Sequence, residues 1–321
     1  MRVLICHRIA PTVVEAIRQA GHEVVQWTGP GPIPPGRLAA ELRQADAALT
    51  MLTDRIDGRM LEGAERLRVV ANVAVGFDNL DLAALAAHGG AATNTPDVLT
   101  EATAELALAL LLLVMRDLPA SMDALRGGRW QGWEPDAFLG RELAGKTLGI
   151  VGYGRIGAAV ARRAAAFGMH ILAAGPHPRT LAEGRWAPLE ELLAASDAVS
   201  VHTPLTPATY HLFNRDTFAR MRPGSYFVNT ARGAVVDTGA LLEALDSGRL
   251  AGAALDVFEV EPLPPGHPLL AHPRVVLTPH VGSATVETRT RMAERAWRNV
   301  EAVFRGEAPP DWLNPPERFP A

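Results

Sequence analysis

Thr147-Leu-Gly-Ile-Val-Gly-Tyr-Gly-Arg-Ile-Gly157 is the stretch that decides the fold. An apolar segment, Thr147–Val151, runs straight into glycines at 152, 154 and 157, and a helix-forming segment, Ile156 to Phe167, follows. The first glycine permits a tight turn, the second lets backbone approach a phosphate, and the third lets the helix pack on its own strand. N–H groups at such a helix start face an anion. Such a pattern alone is common. Here an Ala-rich helix (Ala158, Ala159, Ala161, Ala164, Ala165, Ala166), a stop at Gly168 and a second strand at Met169–Ala173 follow it, and this context predicts dinucleotide binding.

Outward from that point the same alternation continues. Strands are predicted at Ala198–His202, Ser225–Asn229, Ala251–Asp256 and Val275–Leu277, giving six strand-like segments around the glycine turn. The first hundred residues form a second series, with strands at Val3–Cys6, Glu23–Gln26, Ala47–Met51, Val69–Val73 and Ala91–Asn94. Helices are predicted at Thr12–Gln19, Gly36–Gln44, Asp57–Gly63 and Leu82–His88, with a Pro/Gly-rich loop from Gly29 to Pro35. A further helix from Asp97 or Thr100 through Val114 is apolar nearly all round, so it must be buried, as a link between domains or a subunit contact. The last helix, Val286 to Phe304, is long enough to return to the first domain. The predicted class is therefore α/β, with two doubly wound parallel-sheet domains: a Rossmann-type domain over 98–285, and a smaller flavodoxin-like domain over 1–97 plus 286–321.

Composition sets limits on partners. With 48% hydrophobic and 21% charged residues and a net charge of −4, the 321-residue chain reads as globular, and nothing points to nucleic acid or membrane. The longest apolar run, Leu106 to Met115, is too short to span a bilayer. One cysteine, Cys6, excludes an internal disulfide framework and suits a reducing compartment, so cytoplasm is the expectation, with Cys6 as a small buried hydrophobe. No metal-ligating cluster is expected.

In a doubly wound sheet, ligands bind outside the carboxyl ends of the strands. Arg232, Glu261 and His280 fall just after three such ends. Each alone has an ordinary explanation as a surface charge, a solvated acid or a capped helix start. Together they supply what reduction of a 2-keto acid requires: a cation for the substrate, a proton donor near neutral pH, and a carboxylate to tune it.

Six spans, Ala71-Asn-Val-Ala-Val-Gly-Phe-Asp-Asn79, Glu101-Ala-Thr-Ala-Glu105, Gly152–Gly157, Asn229-Thr-Ala-Arg-Gly233, Ala254-Leu-Asp-Val-Phe-Glu259 and Thr278-Pro-His-Val-Gly-Ser283, resemble the D-isomer-specific 2-hydroxyacid dehydrogenases over nearly the whole chain. Gly128-Arg-Trp-Gln-Gly-Trp133, Pro262-Leu-Pro-Pro-Gly-His-Pro268 and Gly282-Ser-Ala-Thr285 are most similar to the glyoxylate/hydroxypyruvate reductases within that family.

The resemblance implies that Arg232 binds the substrate carboxylate and polarises the keto oxygen, its planar fork suiting paired acceptors. It implies that His280 donates the proton while Glu261 orients the imidazole and favours its protonated form. Backbone N–H groups at Val75 and Gly76 would grip the carboxylate from the smaller, substrate-binding domain, with Leu52, Ser283 and Trp133 as further substrate positions. Trp133 has a second reading, simple packing at a subunit contact, and the implied assembly is a homodimer. Cofactor positions carried over are Thr103, Gly152, Gly154, Arg155, Ile156, Gly157, Gly175, His177, Arg179, His202, Thr203, Pro204, Thr230, Ala231 and Asp256, the last resembling the contact to the nicotinamide carboxamide.

An NAD-preferring site would place Asp or Glu near Gly175, but the strand ends Leu172-Ala-Ala-Gly-Pro-His-Pro-Arg179. No acid there repels a 2′-phosphate, and His177 and Arg179 are available to it. NADP(H) is expected to be favoured, with NAD(H) possible. The implied reaction converts glyoxylate and hydroxypyruvate to glycolate and D-glycerate. Two alternatives keep the same motifs: a dinucleotide-sensing, corepressor-like binding protein, and a dehydrogenase for another 2-keto acid such as 3-phosphohydroxypyruvate. The chain ends soon after the last helix in a Pro-rich coda, Pro309 to Pro320, which argues against the long-tailed corepressors and the long phosphoglycerate enzymes.

Overall fold

A computed structural model of the chain describes residues 1–316, so the end of the coda, from Glu317 on, lies outside the described residues. The chain divides into two compact units, one built from Met1–Leu99 and the described residues from Ser283 on, the other from Thr100–Gly282.

In the first unit, β1 (Arg2–Ile5), α1 (Pro11–Gln19), β2 (Glu23–Gln26), α2 (Pro35–Leu42), β3 (Ala47–Thr50), β4 (Val69–Asn72), α3 (Leu82–His88) and β5 (Ala91–Thr93) alternate along the chain. All pairings are parallel, in the order β2-β1-β3-β4-β5. That is the flavodoxin order. Successive strand residues face opposite sides of the sheet. Val3, Ile5, Ala47, Leu49, Val69 and Ala71 pack on one face with Val13 and Ile17 of α1, and with Ala293, Ala296 and Trp297 of the terminal helix Val286–Phe304. Leu4, Cys6, Ala48 and Val70 pack on the other with Leu38 and Leu42 of α2 and Leu85 of α3.

The second unit opens with α4 (Thr100–Met115) and α5 (Leu118–Arg126) and continues β6 (Thr147–Val151), α6 (Arg155–Ala166), β7 (His170–Ala174), β8 (Gly184–Trp186), α7 (Leu189–Ala195) and β9 (Ala198–Val201). It closes with α8 (Arg215–Arg220), β10 (Ser225–Asn229), α9 (Thr238–Asp246), β11 (Leu250–Leu255), α10 (Pro268–Ala271) and β12 (Val275–Leu277). Its seven-stranded parallel sheet runs β12-β11-β10-β9-β6-β7-β8. The chain moves outward from β6 through β7 and β8, then returns to β9 on the opposite side of β6, which puts the topological switch point at the carboxyl ends of β6 and β9. α4 and α6 cover one face, α7, α8 and α9 the other. Under the latter face, Phe213, Phe218 and Phe227 meet at ring-centroid distances of 4.9–5.8 Å.

Three elements differ from the sequence reading. Asp57–Gly63 is a run of turns and not a helix: the Asp57 carboxylate accepts the N–H groups of Arg59 and Met60, an alternative to helical bonding that Gly58 and Gly63 do nothing to oppose. β8 is a seventh strand in the second sheet, three residues that pair only along β7. α5 is a helix where the sequence reading placed none.

Cys6 is fully buried, as expected, but it is not purely a hydrophobe: burial and the nearby Asp54 carboxyl raise its thiol pKa well above the ordinary value. Burial pushes the Asp54 pKa up to about 6, with the Met51 N–H and the Cys6 thiol pulling the other way. An acid raised on folding holds its proton longer in the folded state, so its contribution to stability is full below about pH 4 and is lost as pH rises through about 6. Asp54→Asn should therefore flatten the pH dependence of unfolding between pH 4 and 7, removing a slope worth on the order of 2–3 kcal/mol, as read by denaturant titration at each pH.

Candidate active site

The glycine turn does what its sequence implied. Gly152 has φ +97°, and a Cβ there would lie 2.6 Å from the His202 carbonyl carbon and 2.7 Å from the Thr203 nitrogen. Only glycine lets the end of β6 pass this close to the end of β9, and the passage brings His202 and Thr203 to the turn. A Cβ at Gly157 would meet the Gly152 carbonyl oxygen at 2.2 Å, so this glycine seats α6 against its strand. α6 starts at Arg155 with Gly154 as an N-cap that has no side-chain bond, and nothing lies within 4 Å of a Cβ there. A glycine-capped helix start at this place in the sheet suits an anion. At the end of β10 the Thr230 hydroxyl is buried without a partner among the described residues. An orphaned hydroxyl and an uncapped helix end at the switch point both fit a dinucleotide. His202 is half-buried, its Nε2 2.8 Å from the Ser200 hydroxyl, and burial lowers its pKa to about 4, so it is neutral at physiological pH.

Beyond β7, Gly175, His177 and Arg179 lie on an exposed loop, with the Trp186 ring 3.1 Å from where a Cβ at 175 would sit. Glu183 closes this loop and accepts a 3.2 Å bond from the Tyr153 hydroxyl. Sequence spacing does not reveal this link between the glycine turn and the loop. The one available signal is the tyrosine inside the glycine pattern.

Arg232 is set by the residues beside it. Asn229, 1% exposed at the end of β10, accepts the Ala231 N–H (2.9 Å) and donates to the Arg232 carbonyl (2.9 Å), closing a turn. The Arg232 Nη1 donates to the Ala231 carbonyl at 2.8 Å. A Cβ at Gly233 would fall 1.8 Å from the Phe258 carbonyl carbon, so the Arg232 turn lies directly on the backbone that leads to Glu261. A second pair, His211 and Glu259 at 2.7 Å, flanks that contact, and Glu259 also accepts the Thr238 N–H at 2.8 Å.

His280 is delivered by Asp256, also 1% exposed. Asp256 Oδ1 accepts the Thr278 hydroxyl (2.6 Å) and the Val281 N–H (2.8 Å), and Oδ2 accepts the Gly282 N–H (2.8 Å). The His280 N–H donates to the Asp256 carbonyl at 2.9 Å. These bonds hold His280 at φ +52°, a left-handed conformation that costs a non-glycine residue on the order of 1–3 kcal/mol unless its surroundings fix it. Thr103 of α4 adds a 3.2 Å bond to the Gly282 carbonyl. His280 Nδ1 lies 2.7 Å from Glu261 Oε2, while Glu261 Oε1 accepts the Phe258 N–H at 2.9 Å. Burial pushes the Glu261 carboxyl upward, but the bonds from His280 and Phe258 and the nearby charges of His280 and Arg232 outweigh it, leaving the pKa below the ordinary value. Arg232, Glu261 and His280 thus form one electrostatic unit.

In the first unit, Leu52 is exposed in the turn after β3, while Val75 and Gly76, both half-buried, lie in the loop after β4. Among the described residues nothing bonds the Val75 or Gly76 N–H. Ser283 begins the return segment, and Trp133 of the second unit is 83% exposed.

A dinucleotide fold with a paired histidine and carboxylate beside an arginine fits a dehydrogenase. The chain belongs to the D-isomer-specific 2-hydroxyacid dehydrogenases, whose NAD-binding domain profile matches residues 108–282. A glyoxylate reductase of Aeropyrum pernix is 46% identical over 98% of this chain and 96% of its own length. The TT0316 protein of Thermus thermophilus superposes with a TM-score of 0.94 at 47% identity, covering 98% of this chain and all of that one. An NADPH-dependent glyoxylate/hydroxypyruvate reductase of Sinorhizobium meliloti, solved with NADP and malonate, gives a TM-score of 0.88 at 36% identity, over 100% of this chain and 99% of its own. The cofactor is accordingly a nicotinamide dinucleotide.

Gly233→Ala should displace the Arg232 turn from the Phe258 backbone. Turnover should fall about 100-fold or more, the cost of misplacing a group by an ångström, while circular dichroism and dinucleotide binding stay close to the unaltered protein.

Proposed function

We propose that this protein reduces glyoxylate and hydroxypyruvate to glycolate and D-glycerate, with NADPH preferred to NADH. The observation that carries this reading is the 2.7 Å contact of His280 Nδ1 with Glu261, in the field of Arg232. With Nδ1 engaged by the carboxylate, Nε2 is the ring atom left to hold the proton for the keto oxygen. Arg232 binds the substrate carboxylate and draws charge onto that oxygen, where negative charge develops as reduction proceeds. When bound, the reduced dinucleotide supplies the hydride taken up by the keto carbon. His280 gives its proton to the oxygen, which balances the two-electron reduction, and regains one from solvent. In the reverse direction it is the base.

Leu52, Val75, Gly76 and Ser283 are the proposed substrate positions of the first unit. The NADPH preference rests on the exposed His177 and Arg179 and on the lack of an acid between Gly175 and Ala182. The relative from Sinorhizobium, described as NADPH-dependent, supports it. The proposed assembly is a homodimer. Met122, Leu125, Trp130, Trp133 and Leu139 are exposed on α5 and the segment after it, and such an apolar patch favours a second copy, with Trp133 against it.

The test is a steady-state panel of glyoxylate, hydroxypyruvate, pyruvate and 3-phosphohydroxypyruvate with each nicotinamide. Highest kcat/KM should fall on the first two substrates with NADPH, and equal or better efficiency with NADH would refute the cofactor preference. His280→Ala should lower kcat by about 100-fold or more, the contribution of a positioned acid, with little change in dinucleotide affinity. Near-normal turnover in that variant would refute the proton-donor role.

A further inference from the structure

Three consecutive carbonyls in the loop after β4 are each tied down. The Ala74 carbonyl accepts the Thr95 N–H at 2.8 Å, the Val75 carbonyl accepts Asn94 Nδ2 at 2.7 Å, and the Gly76 carbonyl accepts Asn72 Nδ2 at 2.9 Å. In a trans peptide the N–H points opposite to the carbonyl. Fixing each oxygen therefore turns the N–H of the same peptide, that of Val75, Gly76 or Phe77, away from the group that holds it. None of the three has a partner among the described residues.

The orientation of Asn72 is itself fixed. Asn72 Nδ2 donates to Asn79 Oδ1 (3.0 Å), Asn79 Nδ2 donates back to Asn72 Oδ1 (3.2 Å), and that oxygen also accepts the Thr50 hydroxyl (3.1 Å). A flipped Asn72 amide would set oxygen against the Gly76 oxygen and against Asn79 Oδ1, so one orientation is selected. Asn79 Nδ2 also bonds the Met51 and Asp54 carbonyls at 3.0 and 2.8 Å, which ties the turn bearing Leu52 to the same bracket. Asn72 and Asn94 are almost wholly buried, and their amide nitrogens serve these bonds alone among the described residues.

We infer that Asn94 and Asn72, braced by Asn79, are positioning residues that aim three successive backbone N–H groups, Val75 to Phe77, at the carboxylate of the substrate. The inference rests on the substrate reading above and adds to it a third donor, Phe77, and the side chains that point all three. Successive backbone N–H groups left open in a turn make an anion site that carries no charge of its own. Such a site takes a carboxylate without bringing in a cation.

Asn94→Ala and Asn72→Ala, made singly, test this. Each should raise KM for glyoxylate about ten-fold, the effect of losing one well-aimed bond to a charged group, with kcat at saturation and KM for the dinucleotide within about three-fold of the unaltered protein. Amide hydrogen exchange on the same variants gives a readout independent of turnover. Protection at Thr95, bonded to Ala74, and at Leu80, bonded to Phe77, should fall about ten-fold while β1 and β3 are unchanged. Unchanged exchange in both variants, or loosened exchange with an unchanged glyoxylate KM, overturns the inference. An unaltered protein that reduces no 2-keto acid overturns the substrate reading instead, and exchange then still decides whether the asparagines hold the loop.

Discussion

A carboxylate buried to 1% exposure must be satisfied by its neighbours, and Asp256 is satisfied by the turn that carries His280. Removing it would leave three donors without acceptors and release a residue held in the left-handed region. Next to it in the sheet, Asn229 does the same for the turn that carries Arg232, and the Asp256 N–H donates to the Asn229 carbonyl at 2.9 Å. Two buried polar side chains at the ends of adjacent parallel strands, β10 and β11, thus fix the direction of a guanidinium and an imidazole. The chemistry depends on this pair of clamps, because neither Arg232 nor His280 lies within a regular element.

The first unit solves its own problem with the same device. There the clamped groups are carbonyls and the clamps are asparagine amides, with donors and acceptors both used in the Asn72–Asn79 pair. Asparagine suits a buried bracket of this kind because it offers two donors and an acceptor without the desolvation penalty of an ion. Aspartate suits the His280 turn, where three donors converge on one group and no second cation is needed.

Much of this was legible in the chain. The glycine turn is written in local spacing and is held by local contacts, so its position and the role of each glycine follow largely from residues 147–168. Strands buried on both faces read as short continuous apolar runs, and they separated from helices on length. Arg232, Glu261 and His280 stood out because polar residues directly after such runs fall at the carboxyl edge of a parallel sheet. What stayed hidden has a common cause. β8 exists only through its pairing with β7, the Asp57–Gly63 turns through the local competition of Asp57, and the Asn72–Asn79 bracket through contacts between separate loops. Asp256 was singled out for the nicotinamide, with a strand-end cap as its plainer reading, and its visible work is to hold the turn around His280. Glu183 and its bond to Tyr153 depend in the same way on where a loop returns.

The proposed reaction has Arg232 and His280 acting together on one small acid. A crystal structure with NADP and oxamate, a non-reacting analogue of a 2-keto acid, tests this most directly. The Arg232 guanidinium is expected on the analogue's carboxylate, with His280 Nε2 within hydrogen-bond distance of the oxygen that stands for the keto group and Nδ1 still on Glu261. An analogue bound with its carboxylate away from Arg232, or with no oxygen in reach of the imidazole, would contradict it.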